Sequence, residues 1–218
     1  MPQNQMKDGT VLLPEPVFDR LLANGRRRDR DHAPVVKIFA PVGAGTWLLN
    51  EADPFDDGDF RLFGLCDPGL GEPEMGYVLR SELEELRMPK PFQGLGLERD
   101  TAFRHEHAHP LSVYADWSSL NGRIDLAVDL ERVFPHFWSA AGVTKGLSPK
   151  GGAALGRFAA RVDDLIAAPQ RSAFRVREAT ERDGGVRLSY TGTGSAVTDA
   201  KIAALAAECE RGRTSAED

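Results

Sequence analysis

Apolar positions along the chain follow two kinds of pattern, and each change of period marks an element boundary. Over residues 14–24, Val17, Phe18, Leu21 and Leu22 share one helical face and Asn24-Gly25 supplies a C-terminal stop, so the spacing predicts a short opening helix. From Pro34 the period shortens. Val35, Val36, Ile38 and Phe39 form a β-rich run closed by Pro41 and Gly43, and residues 46–49 resume it after a Gly-Ala-Gly turn, which predicts a hairpin. The polar stretch 53–59 contains an Asp-Gly turn, after which residues 60–65 read as a third strand and 75–79 as a fourth. Ser81 with Glu84 fits a Ser-x-x-Glu capping box for a helix that turns Leu83 and Leu86 inward, and residues 97–103 are expected to add a final β segment.

Helical spacing returns in the second half. Leu126, Leu130, Val133, Phe134 and Phe137 predict a helix over 124–138 that Pro135 ends early, and residues 153–168 form a cleaner amphipathic helix stopped by Pro169. Residues 174–179 and 186–190 alternate as two strands around Asp183-Gly184-Gly185, and a last helix over 197–211 is apolar at Ile202, Leu205, Ala206 and Cys209. The expected fold class is α+β. An antiparallel β-meander domain with flanking helices occupies 1–122, a helix-helix-hairpin-helix domain 123–211, and a disordered tail 212–218.

Composition narrows the functional classes. With 218 residues, 41% hydrophobic and 28% charged, the chain can bury a real core in one large domain or two small ones. No window approaches the roughly 18 consecutive apolar residues of a membrane span, and the first residues lack a secretory apolar stretch, so a cytoplasmic location is expected. Cys66 and Cys209 have no Cys-x-x-Cys spacing and read as packing residues in a reducing compartment. Up to Gly122 there are 13 Lys and Arg against 20 Asp and Glu, whereas the remainder has 14 against 13. An acidic first domain lacks the basic surplus that neutralises several phosphates, which disfavours general nucleic-acid binding.

The runs PVVKIFAPVG at 34–43, TWLLNE at 46–51, LFGL at 62–65, PEMGY at 73–77, SELEEL at 81–86 and GLGLERD at 94–100 carry more than periodicity. Their order resembles a bacterial family, the domain of unknown function numbered 2958, whose members carry VKxFxPxxxxTW, LFGL, PExGxxxLSEL and GLxIERD. The resemblance spans residues 14–112 and implies a fold unit found on plasmids and integrative elements, without an established activity. Residues 155–211 resemble a small bacterial module that precedes a zinc ribbon, through FRVREATERDGGVRLSY at 174–190 and ALAAECER at 204–211. The chain stops where that ribbon would begin, so no metal or nucleic-acid role of the ribbon is expected here.

Candidate chemistry is sparse. Gly43 and Gly45 lack the third glycine and the following helix of a dinucleotide loop, and Gly146 to Gly152 is no phosphate loop. His105, His107 and His109 would share one side of an extended strand and are the local cluster with metal-ligand chemistry, yet the run leads into Pro110 and reads as solvated, so no metal and no cofactor is expected. No nucleophile stands in an activating context. Within the family-like block, Arg99 with Glu98 and Glu74, beside Trp47 and Tyr77, would line a groove for a small ligand or an enzymatic reaction. Arg26, Arg27, Arg28 and Arg30, with Arg175 and Arg177 on one side of a strand and Arg171 and Arg187 near it, form the alternative nucleic-acid surface. The leading expectation is a non-catalytic cytoplasmic accessory protein of a mobile element. It binds another macromolecule, a protein partner above all, with inhibition of a restriction or CRISPR system as the specific role.

Overall fold

The computed structural model describes residues 11–212, so the expected tail falls almost wholly outside the described residues. The described chain is α+β and clusters into two units. One comprises residues up to 105 together with 114–126; the other comprises 106–113 and the residues from 127 onward.

In the first unit, helix α1 (Glu15–Gly25) opens after Pro14 and packs its apolar side, with Leu21 fully buried, across the sheet. Strands β1 (Val36–Phe39), β2 (Thr46–Pro54), β3 (Phe60–Asp67) and β4 (Glu74–Leu79) form the antiparallel meander that the alternation and turns predict. The short strand β5 (Glu98–Arg99) returns to pair with β1, giving the order β4-β3-β2-β1-β5. Lys37 donates to Asp100 at 3.0 Å and pins that return. Asp100 also accepts the amides of Ala102 and Phe103, turning the chain away, which is why the β segment expected over 97–103 is only two residues long. The core joins Val36, Ile38, Trp47, Leu49, Ala52 and Leu62 of the sheet to Leu12, Leu13, Leu21, Leu83, Met88 and Leu97.

Helix α2 (Arg80–Glu85) starts one residue before the expected cap. Glu82 accepts from the Leu79 amide at 3.0 Å, while the Ser81 hydroxyl donates to Asp59 at 2.6 Å instead of capping its own helix. Ser81 therefore ties the helix to the β2–β3 turn region. Helix α3 (Leu111–Asn121) begins in the second unit and continues into the first.

In the second unit the helix expected over 124–138 shrinks to α4 (Leu130–Val133). Asp129 caps it by accepting from the Glu131 and Arg132 amides, Pro135 follows at once, and the chain then extends so that Phe137 accepts from the Val176 amide at 2.7 Å. Helix α5 (Pro149–Leu165), strands β6 (Arg175–Arg182) and β7 (Gly185–Thr191), and helix α6 (Ala196–Arg211) complete the unit. The hairpin turns through Asp183 and Gly184, both at positive φ, as an Asp-Gly hairpin requires. Phe137, Leu155, Phe158, Val162, Phe174, Val176, Val186 and Ile202 form its core.

Candidate functional site

Strand β2 pairs with β3 in regular register from Thr46 to Leu49, slips at Asn50, and resumes with Glu51 opposite Phe63 and Asp53 opposite Arg61. A β-bulge of this kind inserts one extra residue and re-aims the side chains around it. Leu49 and Ala52, three apart, consequently both serve the apolar core. Asn50 and Glu51 between them are polar and almost fully enclosed, at 2% and 7% exposure.

An unusual set of charges surrounds this bulge. Arg28 and Arg61 both reach the same Asp53 oxygen, Arg61 at 3.6 Å. The Arg61 guanidinium also lies 4.4 Å over the Tyr77 ring, which in turn sits 4.9 Å from Phe63. Burial pushes the Glu51 carboxyl above its ordinary pKa; His32 and Arg28 oppose that rise, and Asp53 and Asp31 add to it. Among the described residues the Glu51 carboxylate accepts no hydrogen bond. Asn50 donates from Nδ2 to the His32 carbonyl at 3.1 Å, and its own carbonyl accepts from Asn24 at 2.8 Å. Its Oδ1, and Nε of Arg61, are buried with no hydrogen-bond partner among the described residues. Buried polar atoms are nearly always paired, so two unpaired ones beside a half-enclosed carboxyl single out this place, although Ser118 Oγ on α3 is also buried without a partner among the described residues.

Three other carboxylates show what a structural role looks like. Glu181 accepts from the Ser148 hydroxyl and amide and is thereby held below its usual range, as is Asp199 by the Thr193 amide and hydroxyl. Asp67, also buried, accepts the amides of Gly69, Leu70 and Gly71. Glu51 has no such role. It can hold a proton at higher pH than an ordinary glutamate or receive a cation.

The groove expected from Trp47, Glu74, Tyr77, Glu98 and Arg99 is not assembled. Glu74 and Tyr77 lie on β4 and Glu98 and Arg99 on β5, the two opposite edges of the sheet, which three intervening strands separate by roughly 19 Å at the usual strand spacing. Trp47 is 5% exposed and belongs to the core. Glu98 and Arg99, as neighbours on one strand, face opposite sides, opposite Phe39 and Ile38. Tyr77 is the member that does reach a polar cluster, and Arg28, expected in a nucleic-acid surface, joins it there. Asn50, Glu51 and Arg61 were not singled out in the sequence, and Asp53 was read only as the start of a polar loop; the signal was the polar pair Asn50-Glu51 interrupting the apolar run of a strand.

The three histidines do not share a strand face. Residues His105–His107 form a 3-10 turn, His105 contacts Arg20, His107 is exposed, and His109 is buried. Among the described residues no group of three or more His, Cys, Asp or Glu could hold a metal ion. On the hairpin, Arg175 donates to the carbonyls of Arg171 and Phe174, Arg187 pairs with Glu210 at 3.3 Å, and Arg171 pairs with Asp163 at 3.3 Å. Arg177 is exposed at a bulge beside Glu178; Arg26, Arg27 and Arg30 are exposed in the segment after α1.

The first unit is thus an α+β meander domain with a bulged strand bearing a mixed carboxylate and arginine cluster. The family described as "Protein of unknown function (DUF2958)" matches residues 12–125, just over half of the chain, and the chain belongs to that family. The match takes in the whole five-stranded sheet and the bulge cluster. No curated protein and no solved structure matches. Among the described residues no helix is long and apolar enough to cross a membrane.

Proposed function

We propose that the chain is a non-catalytic protein that acts by binding a protein partner through the sheet face that carries Met75, Tyr77, Arg61 and Arg28. One observation carries this reading. Met75 and Tyr77, two apart on one side of β4, are 52% and 50% exposed, and the Arg61 guanidinium lies against the tyrosine. Tyrosine, methionine and arginine are the side chains that protein interfaces enrich, and they supply most binding hot spots. Strand β4 ends the sheet, so one side of its backbone has no strand partner within it, and an incoming segment can extend the ladder. The acidic surplus of residues 1–122 favours a basic partner and speeds the encounter.

The setting is the one the family resemblance implies, the cytoplasm of a bacterium carrying a mobile element. There the protein is an accessory factor, and inhibition of a restriction or CRISPR system is its specific role. Affinity capture from nuclease-treated and untreated bacterial lysate, with the wild-type chain and a Met75→Ala, Tyr77→Ala variant side by side, tests it. The expected result is a stoichiometric protein that survives nuclease and is lost with the variant. Loss of every captured species on nuclease treatment would overturn the reading. A second reading, a small-ligand or enzymatic site, is favoured by the buried Glu51 carboxyl and would show as a metabolite-sized species retained by the native chain.

A further inference from the structure

We propose that the bulge of β2 is an anchor pocket for a cationic side chain, a lysine or arginine presented by the protein partner, with Asn50 and Glu51 as its floor. The inference rests on the protein-binding reading above and names what that surface recognises. The Asn50 Oδ1 atom is buried with no hydrogen-bond partner among the described residues, and the neighbouring Glu51 carboxylate, on a residue 7% exposed, accepts no hydrogen bond among them. An ammonium or guanidinium group brings only donors, several of them, and so satisfies both at once. A buried acceptor left unmade is costly, which makes the complementary donor the favoured occupant.

Charge agrees with this choice. Asp31, Glu51 and Asp53 contribute three carboxylates to the neighbourhood, against the guanidinium groups of Arg28 and Arg61 and the His32 imidazole. Both arginines make their ion pairs with Asp53, and among the described residues neither makes one with Glu51. The rim is suited to the stem of a long cationic side chain, because Tyr77, Met75 and Phe63 lie on that side of the sheet. Lysine and arginine bury their methylenes along such surfaces while their heads find polar groups. An anion is the poorer fit, since it would meet Glu51 and Asp53 together.

The full-length chain, labelled with carbon-13 in its carboxyl and amide groups, is titrated with N-acetyl-lysine methylamide, N-acetyl-arginine methylamide and the uncharged N-acetyl-norleucine methylamide. For probes this small a Kd of about 1 mM is the realistic range. The expected result is a saturable shift of the Glu51 and Asn50 side-chain signals with a cationic amide and none with norleucine amide. Binding falls about tenfold in Glu51→Gln, which keeps the shape and removes the charge. Equal shifts with norleucine amide, or no saturable shift with either cationic amide, would overturn the proposal using the wild-type chain alone, whatever the variant does. If a captured protein depends on Tyr77 but ignores Glu51→Gln, the pocket fails and the interface stands. Where the cationic amide binds at Glu51 and no protein is captured, the reverse holds.

Discussion

Gly156 on α5 leaves room for the His109 ring, because a β-carbon there would lie 2.3 Å from Nδ1. Enclosed in this way, the imidazole is pushed down from 6.5 to about 4, by burial first and by the Arg157 charge second. Its folded pKa is below its unfolded one, so the unfolded chain binds the extra proton between those values and stability is lost as pH falls from 6.5 towards 4. We expect a loss of about 3 kcal/mol across that window, read by urea unfolding at stepped pH, and a His109 ring signal that does not titrate above pH 5. The two thiols are likewise held protonated by burial, Cys66 up to about 12 and Cys209 to about 11. Buried Cys209 should react with a disulfide reagent at pH 8 at the rate of unfolding, and the partly exposed Cys66 more slowly than a free thiol, differences that stopped-flow absorbance resolves. The sequence displayed these side chains without their surroundings. Three histidines spaced by two looked alike, whereas a 3-10 turn and one glycine on a distant helix decide that only His109 is enclosed. Glu51 was illegible for the same reason, since its burial depends on what the pairing of β2 with β3 places around it.

The bulge that defines the candidate site depends on Gly64 across the ladder. An added β-carbon there would sit 2.2 Å from the Leu48 carbonyl oxygen, a backbone atom that cannot step aside. Gly64→Ala should therefore cost about 3 kcal/mol by forcing β2 and β3 apart, and it should shift the Glu51 carboxyl signal more than Gly76→Ala, where a β-carbon meets nothing. Thermal unfolding and carbon-13 spectra of the two variants test the contrast. The meander itself was readable because alternation and turn residues agree over β1 to β4, as was the Asp-Gly hairpin of β6 and β7. Helix α3 was not. Its buried stripe is interrupted by Ser118, fully enclosed, while Leu120 is half exposed, and its first residues serve a different unit from its last. The helix expected at 124–138 failed because the apolar spacing there belongs to side chains that enter a core from a one-turn helix and an extended segment.

At the level of the whole molecule, the chain crosses between units before either is complete in sequence. Residues 106–113 pack in the second unit, with Val113 fully buried in its core, yet 114–126 return to the first. A fragment of residues 12–126 should unfold cooperatively by itself, whereas 127–212 should lack a sharp transition that 106–212 regains, as followed by circular dichroism. The family match at 12–125 includes the eight residues that serve the second unit, so the boundary drawn by sequence likeness and the boundary drawn by packing differ. This interleaving sets a schedule for synthesis. When Val113 leaves the ribosome, the residues that will enclose it have yet to be translated, and at 5 to 20 residues per second the roughly hundred that follow take on the order of 10 s. During that interval an apolar segment stands in the nascent chain without its cover, which gives a chaperone or a protease its best opportunity at this seam.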